Sequence, residues 1–435
     1  MEQLQQKQLA EQLELWYSEP LRINQDWQKI VSAARLLHSA DQEYLKDIQL
    51  LLIKRLVRTN QKAALELILH RLDKPESTGL SELQHQALND EAKAYIVQRH
   101  ALTDYNKLPA LYKQLGEHNV DSSWEWLLRS HIARAEWQRV YETLQQAPDS
   151  ITQQERWQYW SLRSKQLTGK LSDSDQQALL SFTQNPNFYG FAASHALLRD
   201  YSVPQASYQR SAEALNKVLT NTHILRAVEH FAHAELVPAR RDWNRALRRF
   251  DKSETIEAAY LASELGWPSQ AINTAAQAQA WRHYSIRFPA IYRDQFRHQA
   301  FRYQQSPQWF YATARQESAL SETAQSSAGA VGLMQILPTT ARQVARSLQT
   351  GYDRSSLQSA DYSITLGTAY LDQLYHRYQN RALSSAAYNA GPQRVDRWLR
   401  NLDKEIPLDA WIETIRFAET RQYVQNVMSF GLIHF

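Results

Sequence analysis

Cysteine is absent from this 435-residue chain. Thiol nucleophiles, disulfides and thiolate metal sites are therefore excluded, while neither a reducing nor an exported compartment is. Glycine (11) and proline (13) are both scarce. A chain this poor in both, and rich in Ala, Leu, Gln, Arg and Glu, reads as all-helical. No run of 18 apolar residues exists, so no segment is expected to span a membrane. The stretch 1–16 is rich in Glu and Gln and lacks an apolar core, so no signal peptide is expected in the sequence as written. The net charge of +4 is a mild excess. It suits a polyanionic partner without indicating nucleic acid.

What little glycine there is lies unevenly. Gly329, Gly332, Gly351, Gly367, Gly391 and Gly431 all fall beyond residue 300. Tight turns and close backbone approaches are thus expected in the last third, where sites tend to be built. Thirteen Trp and 22 Tyr are many; such rings stack on sugars or bases, or simply pack helices together.

The length implies two or three domains. In 41–58 the residues Leu45, Ile48, Leu52 and Leu56 recur at spacings of three and four, one buried helical stripe. Asn60 breaks it, and 62–72 resumes with Ala64, Leu65, Leu67, Ile68 and Leu72. Similar stretches follow at 91–114, 124–147 and 152–167, with breaks at Asp149-Ser150, Thr168-Gly169 and Asn185-Pro186-Asn187. Helical units of roughly 30 to 40 residues placed side by side read as an irregular α-superhelix. Residues 1–200 are assigned to it and 201–292, helical after Pro204, to a linker domain. The glycine-bearing 293–435 is assigned to a last domain.

Two constellations in the linker invite a ligand. His223, His230 and His233 share a helical face, but no carboxylate completes a zinc-protease spacing, and a solvated face is the plainer reading. Arg240, Arg241, Arg245, Arg248 and Arg249 form a basic stripe suited to phosphates or carboxylates, or to a solvated, ion-paired surface.

Ser306-Pro307 is a strong helix start, with Ser as cap and Pro in the first turn. The helix should end near Leu320 and so place Glu317 in its last turn. There the negative dipole end disfavours a carboxylate and raises its pKa. A carboxyl kept protonated near neutrality can act as the general acid in glycosidic cleavage. Taken alone, Glu317 reads first as a surface helix-end residue. The turn Gly329-Ala330-Val331-Gly332 then feeds Leu333-Met334-Gln335 and a helix at Pro338. A helix spaced by Ile364, Gly367, Leu371, Leu374 and Tyr378 follows. The next, 383–390, is stopped by Gly391-Pro392, which places Tyr388 and Asn389 in its last turn.

Glu317-Ser318, the stretch Gly332 to Gln335, and Ala387-Tyr388-Asn389-Ala390-Gly391-Pro392 resemble three signature motifs of the soluble lytic transglycosylases. The segment 411–424 resembles the fourth. Together they cover about 312–427 in the family's order and spacing; 281–296 and 188–198 also resemble its linker region. Departures stand at Leu320-Ser321-Glu322, Asp361-Tyr362-Ser363-Ile364, Leu337 and Arg416, which bear on subsite preference.

The resemblance implies an all-α protein: a superhelix followed by a lysozyme-like catalytic domain, with no metal and no cofactor. It implies cleavage of the β-1,4 bond between N-acetylmuramic acid and N-acetylglucosamine in peptidoglycan, leaving 1,6-anhydromuramyl ends. Glu317 is carried over as the single acid/base. Ser326, Gln335, Tyr388, Asn389 and Glu413 are carried over as lining the sugar groove or holding an N-acetyl group, and Met334 and Tyr423 as its walls. A single carboxylate suffices where an intramolecular hydroxyl is the nucleophile, whereas ordinary glycosidases need two. The expectation is an exported, periplasmic monomer acting on glycan strands, with no nucleic-acid partner and with cell-wall synthesis proteins as partners. A lysozyme-type hydrolase on the same fold, and a silent helical scaffold or polyanion-binding protein, are the alternatives.

Overall fold

The computed structural model describes residues 42–433, except 71, 73–74, 117–119, 202 and 204–207. The expected helices before residue 41 and the glutamate-rich start lie outside the described residues, as does Pro204. Within them the fold is all-α; β pairing is confined to isolated bridges at Gln325–Val331 and Val331–Ile336. The described parts of 1–168 and 401–410 make one compact unit, and those of 169–400 and 411–435 the other.

The first unit runs α1 (Gln42–Thr59), α2 (Gln61–His70), α3 (Glu82–Ala101), α4 (Leu108–Leu115), α5 (Asp121–Ala133), α6 (Trp137–Gln146), α7 (Asp149–Thr152) and α8 (Glu155–Leu167). Helices α1, α2 and α3 pack on one another. The expected stripe is their core: Leu45, Ile48 and Leu56 are buried, with Ile53 and Val57 beside them, while Leu52 is half-buried. The 91–114 stretch is split, because α3 ends at Ala101 and Asp104 caps a 3-10 turn before α4, which has Pro109 in its first turn. The 124–147 stretch is split at Ala135, whose φ is 55°. On α8, Tyr159 donates to Asp409 at 2.6 Å and Arg163 pairs with it at 3.0 Å, which fastens 401–410 to this unit.

The second unit holds α9 (Asp173–Phe182), α10 (Phe188–Ala196), α11 (Ala212–Thr220), α12 (Thr222–Ala232), α13 (Leu236–Leu247), α14 (Lys252–Glu264), α15 (Pro268–Gln277) and α16 (Tyr284–Arg287). It continues with α17 (Arg293–Tyr303), α18 (Pro307–Ser318), α19 (Pro338–Ser347), α20 (Ala360–Tyr378), α21 (Arg381–Ala390), α22 (Pro392–Arg400), α23 (Leu408–Glu413) and α24 (Ala418–Ile433), α23 crossing from the first unit at Trp411. Trp243, Trp267, Ile256 and a run of alanines form the core beneath α11 to α16. Further on, α18 packs against α24, and α21 lies against both α20 and α24. Small residues permit that closeness: Ala386 and Ala387 on α21 are fully buried. Burying Trp309, Phe310 and Tyr311 on α18 stabilises this packing by roughly 2 kcal/mol each. The indole of Trp309 also donates to Ser385 Oγ on α21 at 3.0 Å, so its burial leaves no orphaned N–H.

Candidate active site

Ser306 caps α18 by accepting from Trp309 N at 3.3 Å, and Pro307 occupies the first turn. The helix ends at Ser318, two residues before Leu320, because Ala319 and Leu320 both take positive φ (51° and 63°). Glu317 is thereby held in the last turn and half-buried. Its Oε1 accepts a 2.7 Å hydrogen bond from the Tyr423 hydroxyl on α24. Burial pushes the carboxyl's pKa up to about 8; the Tyr423 bond opposes this and the nearby negative Glu419 adds to it. Desolvation wins because one neutral donor does not replace the lost water.

The loop after α18 is a set of short closures. Ser326 N donates to Ala330 O and Ser326 Oγ accepts from Ala330 N, both at 3.0 Å. The Gln335 amide donates to Ala324 O and Gly332 O, each at 2.9 Å, with Gln335 itself at φ 47°. Gly332 sits at φ 81°, where a Cβ would lie 1.9 Å from Leu357 O, so this position admits no other residue without rearrangement. Ser318 ties the helix end to the loop: its Oγ donates to Leu333 O at 2.7 Å and accepts from Ser321 N at 3.1 Å. Ser363 on α20 accepts from Met334 N at 3.0 Å.

Tyr388 donates to Met334 O at 2.7 Å. Burial holds its phenol well above the ordinary range, and the charge of Glu317 adds to this, as it does for Tyr423. Glu317, Tyr388 and Tyr423 therefore share one electrostatic site, with both phenols protonated. The Tyr370 ring packs on Tyr388 at 5.4 Å. Asn389 accepts from Thr420 Oγ1 at 2.6 Å, which fixes which end of the amide faces outward.

Met334 and Glu413 are placed otherwise: both are fully buried. Met334 fills the space left by the missing side chain of Gly367, where a Cβ would come within 2.6 Å of Met334 Cβ. Glu413 accepts from Tyr189 on α10 at 2.9 Å and lies 3.9 Å from Arg421, a buried brace. Glu322 accepts from Tyr292 at 2.6 Å. Among the described residues no group of three His, Asp or Glu is placed to hold a metal. His230 faces Glu235 at 2.6 Å and His233 faces Glu229 at 3.2 Å.

Sequence reasoning did not single out Thr420, Ser363 or Tyr370. Each acts by touching a motif residue from a distant helix. Only spacing in three dimensions brings them there.

Residues 294–407 match the transglycosylase SLT domain, and residues 217–283 the soluble lytic murein transglycosylase L domain. The chain thus carries two domains of the soluble lytic transglycosylases. It is 31% identical over 292 residues to the soluble lytic murein transglycosylase of Salmonella typhimurium, covering 66% of this chain and 44% of that protein. With a putative soluble lytic murein transglycosylase of Haemophilus influenzae it shares 32% over 330 residues, 74% of this chain and 53% of that one. The chain thus spans about half the length of the curated relatives it matches. Among solved structures it resembles an inactive glutamate-to-glutamine mutant of the lytic transglycosylase Slt from Pseudomonas aeruginosa. There the TM-score is 0.79 and the identity 34%, over 89% of this chain and 62% of that one. It also resembles the 70 kDa soluble lytic transglycosylase of Escherichia coli, with TM-score 0.78 and identity 25%, over 93% of this chain and 64% of that one.

Proposed function

We propose that this protein is a lytic transglycosylase. It cleaves the β-1,4 bond between N-acetylmuramic acid and N-acetylglucosamine in peptidoglycan and leaves 1,6-anhydromuramyl ends. The observation that carries this reading is the Glu317 carboxyl, held protonated near neutrality by burial beside two protonated phenols. Its sequence relatives bear the name soluble lytic murein transglycosylase, which supports the same substrate.

In this mechanism Glu317 gives its proton to the glycosidic oxygen as the bond to C1 breaks. The carboxylate so formed takes the proton of the muramyl C6 hydroxyl as that oxygen closes on C1. One group serves as acid and then base, so no second carboxylate and no water are consumed. Tyr423 stabilises the carboxylate between the two steps, since a donated hydrogen bond favours the charged form. Ser326, Gln335, Tyr388 and Asn389 hold the sugar groove. Met334 and Glu413 support it from beneath, Met334 through its carbonyl on Tyr388. The catalytic region is 293–435, with 201–292 as linker and the preceding helices as frame. The site of action is the cell wall in the periplasm, and the protein acts as a monomer that docks with cell-wall synthesis proteins.

Incubation with purified sacculi, followed by separation of the products, tests this. Anhydromuramyl ends are expected. Reducing muramic ends would make the protein a hydrolase. No release, with Glu317→Gln binding the wall as well as wild type, would make it a scaffold.

A further inference from the structure

Helix α13, within the match to the L domain, carries a face that the proposed chemistry leaves unused. Its buried side is Ala239, Asp242, Trp243, Ala246 and Leu247. Arg241, Arg245, Arg248 and Arg249 point outward and are exposed, with Arg240 half-buried beside them. At 100° per residue, Arg240, Arg241, Arg245 and Arg248 fall on one side of the helix, spread over about 140°. They cover about 12 Å along its axis at 1.5 Å per residue.

These arginines are grouped on one face and have no carboxylate partner there. Several other arginines do meet carboxylates: Arg163 meets Asp409, Arg210 meets Glu257 and Glu264, and Arg377 meets Asp396. On the neighbouring helix α12, Arg226 takes Asp242. Asp242 is the one acidic residue of α13, it is buried, and Arg241 feels it only at a distance. Glu235 and Glu229 are engaged by His230 and His233. None of the five stripe arginines has an ion pair among the described residues. Surface arginines crowded on one face without counter-charges repel one another, a cost that an anionic partner relieves.

We propose that this face is an auxiliary wall-binding site for the peptide carboxylates of peptidoglycan, separate from the groove at Glu317. The proposal rests on the reading of the substrate given above. The forked guanidinium suits bidentate carboxylate recognition, and repeated carboxylates along a polymer suit a row of such forks. Several weak exposed pairs act together only on a multivalent partner, which a peptide-bearing glycan is and a free amino acid is not. The function is retention: the enzyme stays on the wall between cleavage events.

The test is co-sedimentation with purified sacculi, using the full chain carrying Glu317→Gln so that the polymer stays intact. Adding Arg241→Gln, Arg245→Gln and Arg248→Gln together is expected to weaken binding on the order of tenfold at low salt. The difference should vanish at high salt and on sacculi whose carboxylates have been amidated. Unchanged sedimentation of the triple variant, or a loss that persists on amidated sacculi, would overturn the proposal. So would a loss seen instead on vesicles containing phosphatidylglycerol, which would make the face a membrane contact. With Glu317 restored, the triple variant should cleave soluble peptide-free glycan chains at the wild-type rate. Failure of the wild type to release anhydromuramyl ends would refute the proposed activity and leave the sedimentation result standing.

Discussion

The hydroxyl of Tyr423 lies 2.7 Å from Oε1 of Glu317, across 106 positions of chain. One donor, on a helix packed along the other's length, sets the balance of a buried carboxyl between two protonation states. Removing it has a sign that can be worked out. The bond lowers the Glu317 pKa, so Tyr423→Phe should raise it above the wild-type value of about 8. The alkaline limb of the pH–kcat/KM profile should move to higher pH, while kcat falls about 10- to 100-fold because the carboxylate intermediate loses its donor. A profile measured from pH 5 to 10 checks both. An unmoved limb would detach Tyr423 from the chemistry.

Glu317 is also expected to weaken the fold. Its pKa is raised from 4.5 to about 8, so between those values the folded state binds more protons than the unfolded one. Stability from this group is therefore fully present below pH 4.5 and is lost as pH rises toward 8. Glu317→Gln should leave the melting temperature nearly unchanged at pH 4 and raise it at pH 8, by a few kcal/mol at most in stability terms. Calorimetry at the two pH values decides it. An equal gain at both would mean that the carboxyl is not desolvated.

Gly367 faces Met334 so closely that helix propensity and packing oppose each other. Alanine in mid-helix gains about 1 kcal/mol over glycine, but a Cβ here meets Met334 Cβ at 2.6 Å. The contact atom is the first of the side chain and cannot swing aside. Overpacking at about 1–3 kcal/mol should win, so Gly367→Ala destabilises. Because Met334 O also positions Tyr388, activity should fall with it. Urea denaturation gives the first result and turnover of sacculi the second.

Thr420 holds Asn389 through a 2.6 Å hydrogen bond. Thr420→Val keeps the shape and removes the donor, so the amide is free to flip. The expected effect is a rise in KM of several-fold with kcat reduced less, the pattern of lost substrate positioning, and a stability cost of about 1 kcal/mol. Equal loss in kcat and kcat/KM would place Asn389 at the reacting centre instead.

Helical periodicity and the Ser306-Pro307 and Gly391-Pro392 signals were legible in the chain because each is a local effect of backbone and cap. The split at Ala135 was not. There the chain takes positive φ with alanine rather than glycine, held by surrounding packing that no neighbour in sequence announces. The same divide runs through the site. Glu317, Ser326, Gln335, Tyr388 and Asn389 could be named from motifs. That Met334 and Glu413 turn inward while Asn389 is steered by Thr420 depends on contacts between helices far apart in sequence.

By itself, then, the sequence determined an all-helical chain, a carboxyl in the last turn of a helix, and the family motifs around it, since these follow from spacing within a few turns. Tertiary structure decided the rest. It removed water from that carboxyl, set Tyr423 against it, and left the α13 arginines without partners. Desolvation and pairing are sums over neighbours in space, and one-dimensional order does not contain them.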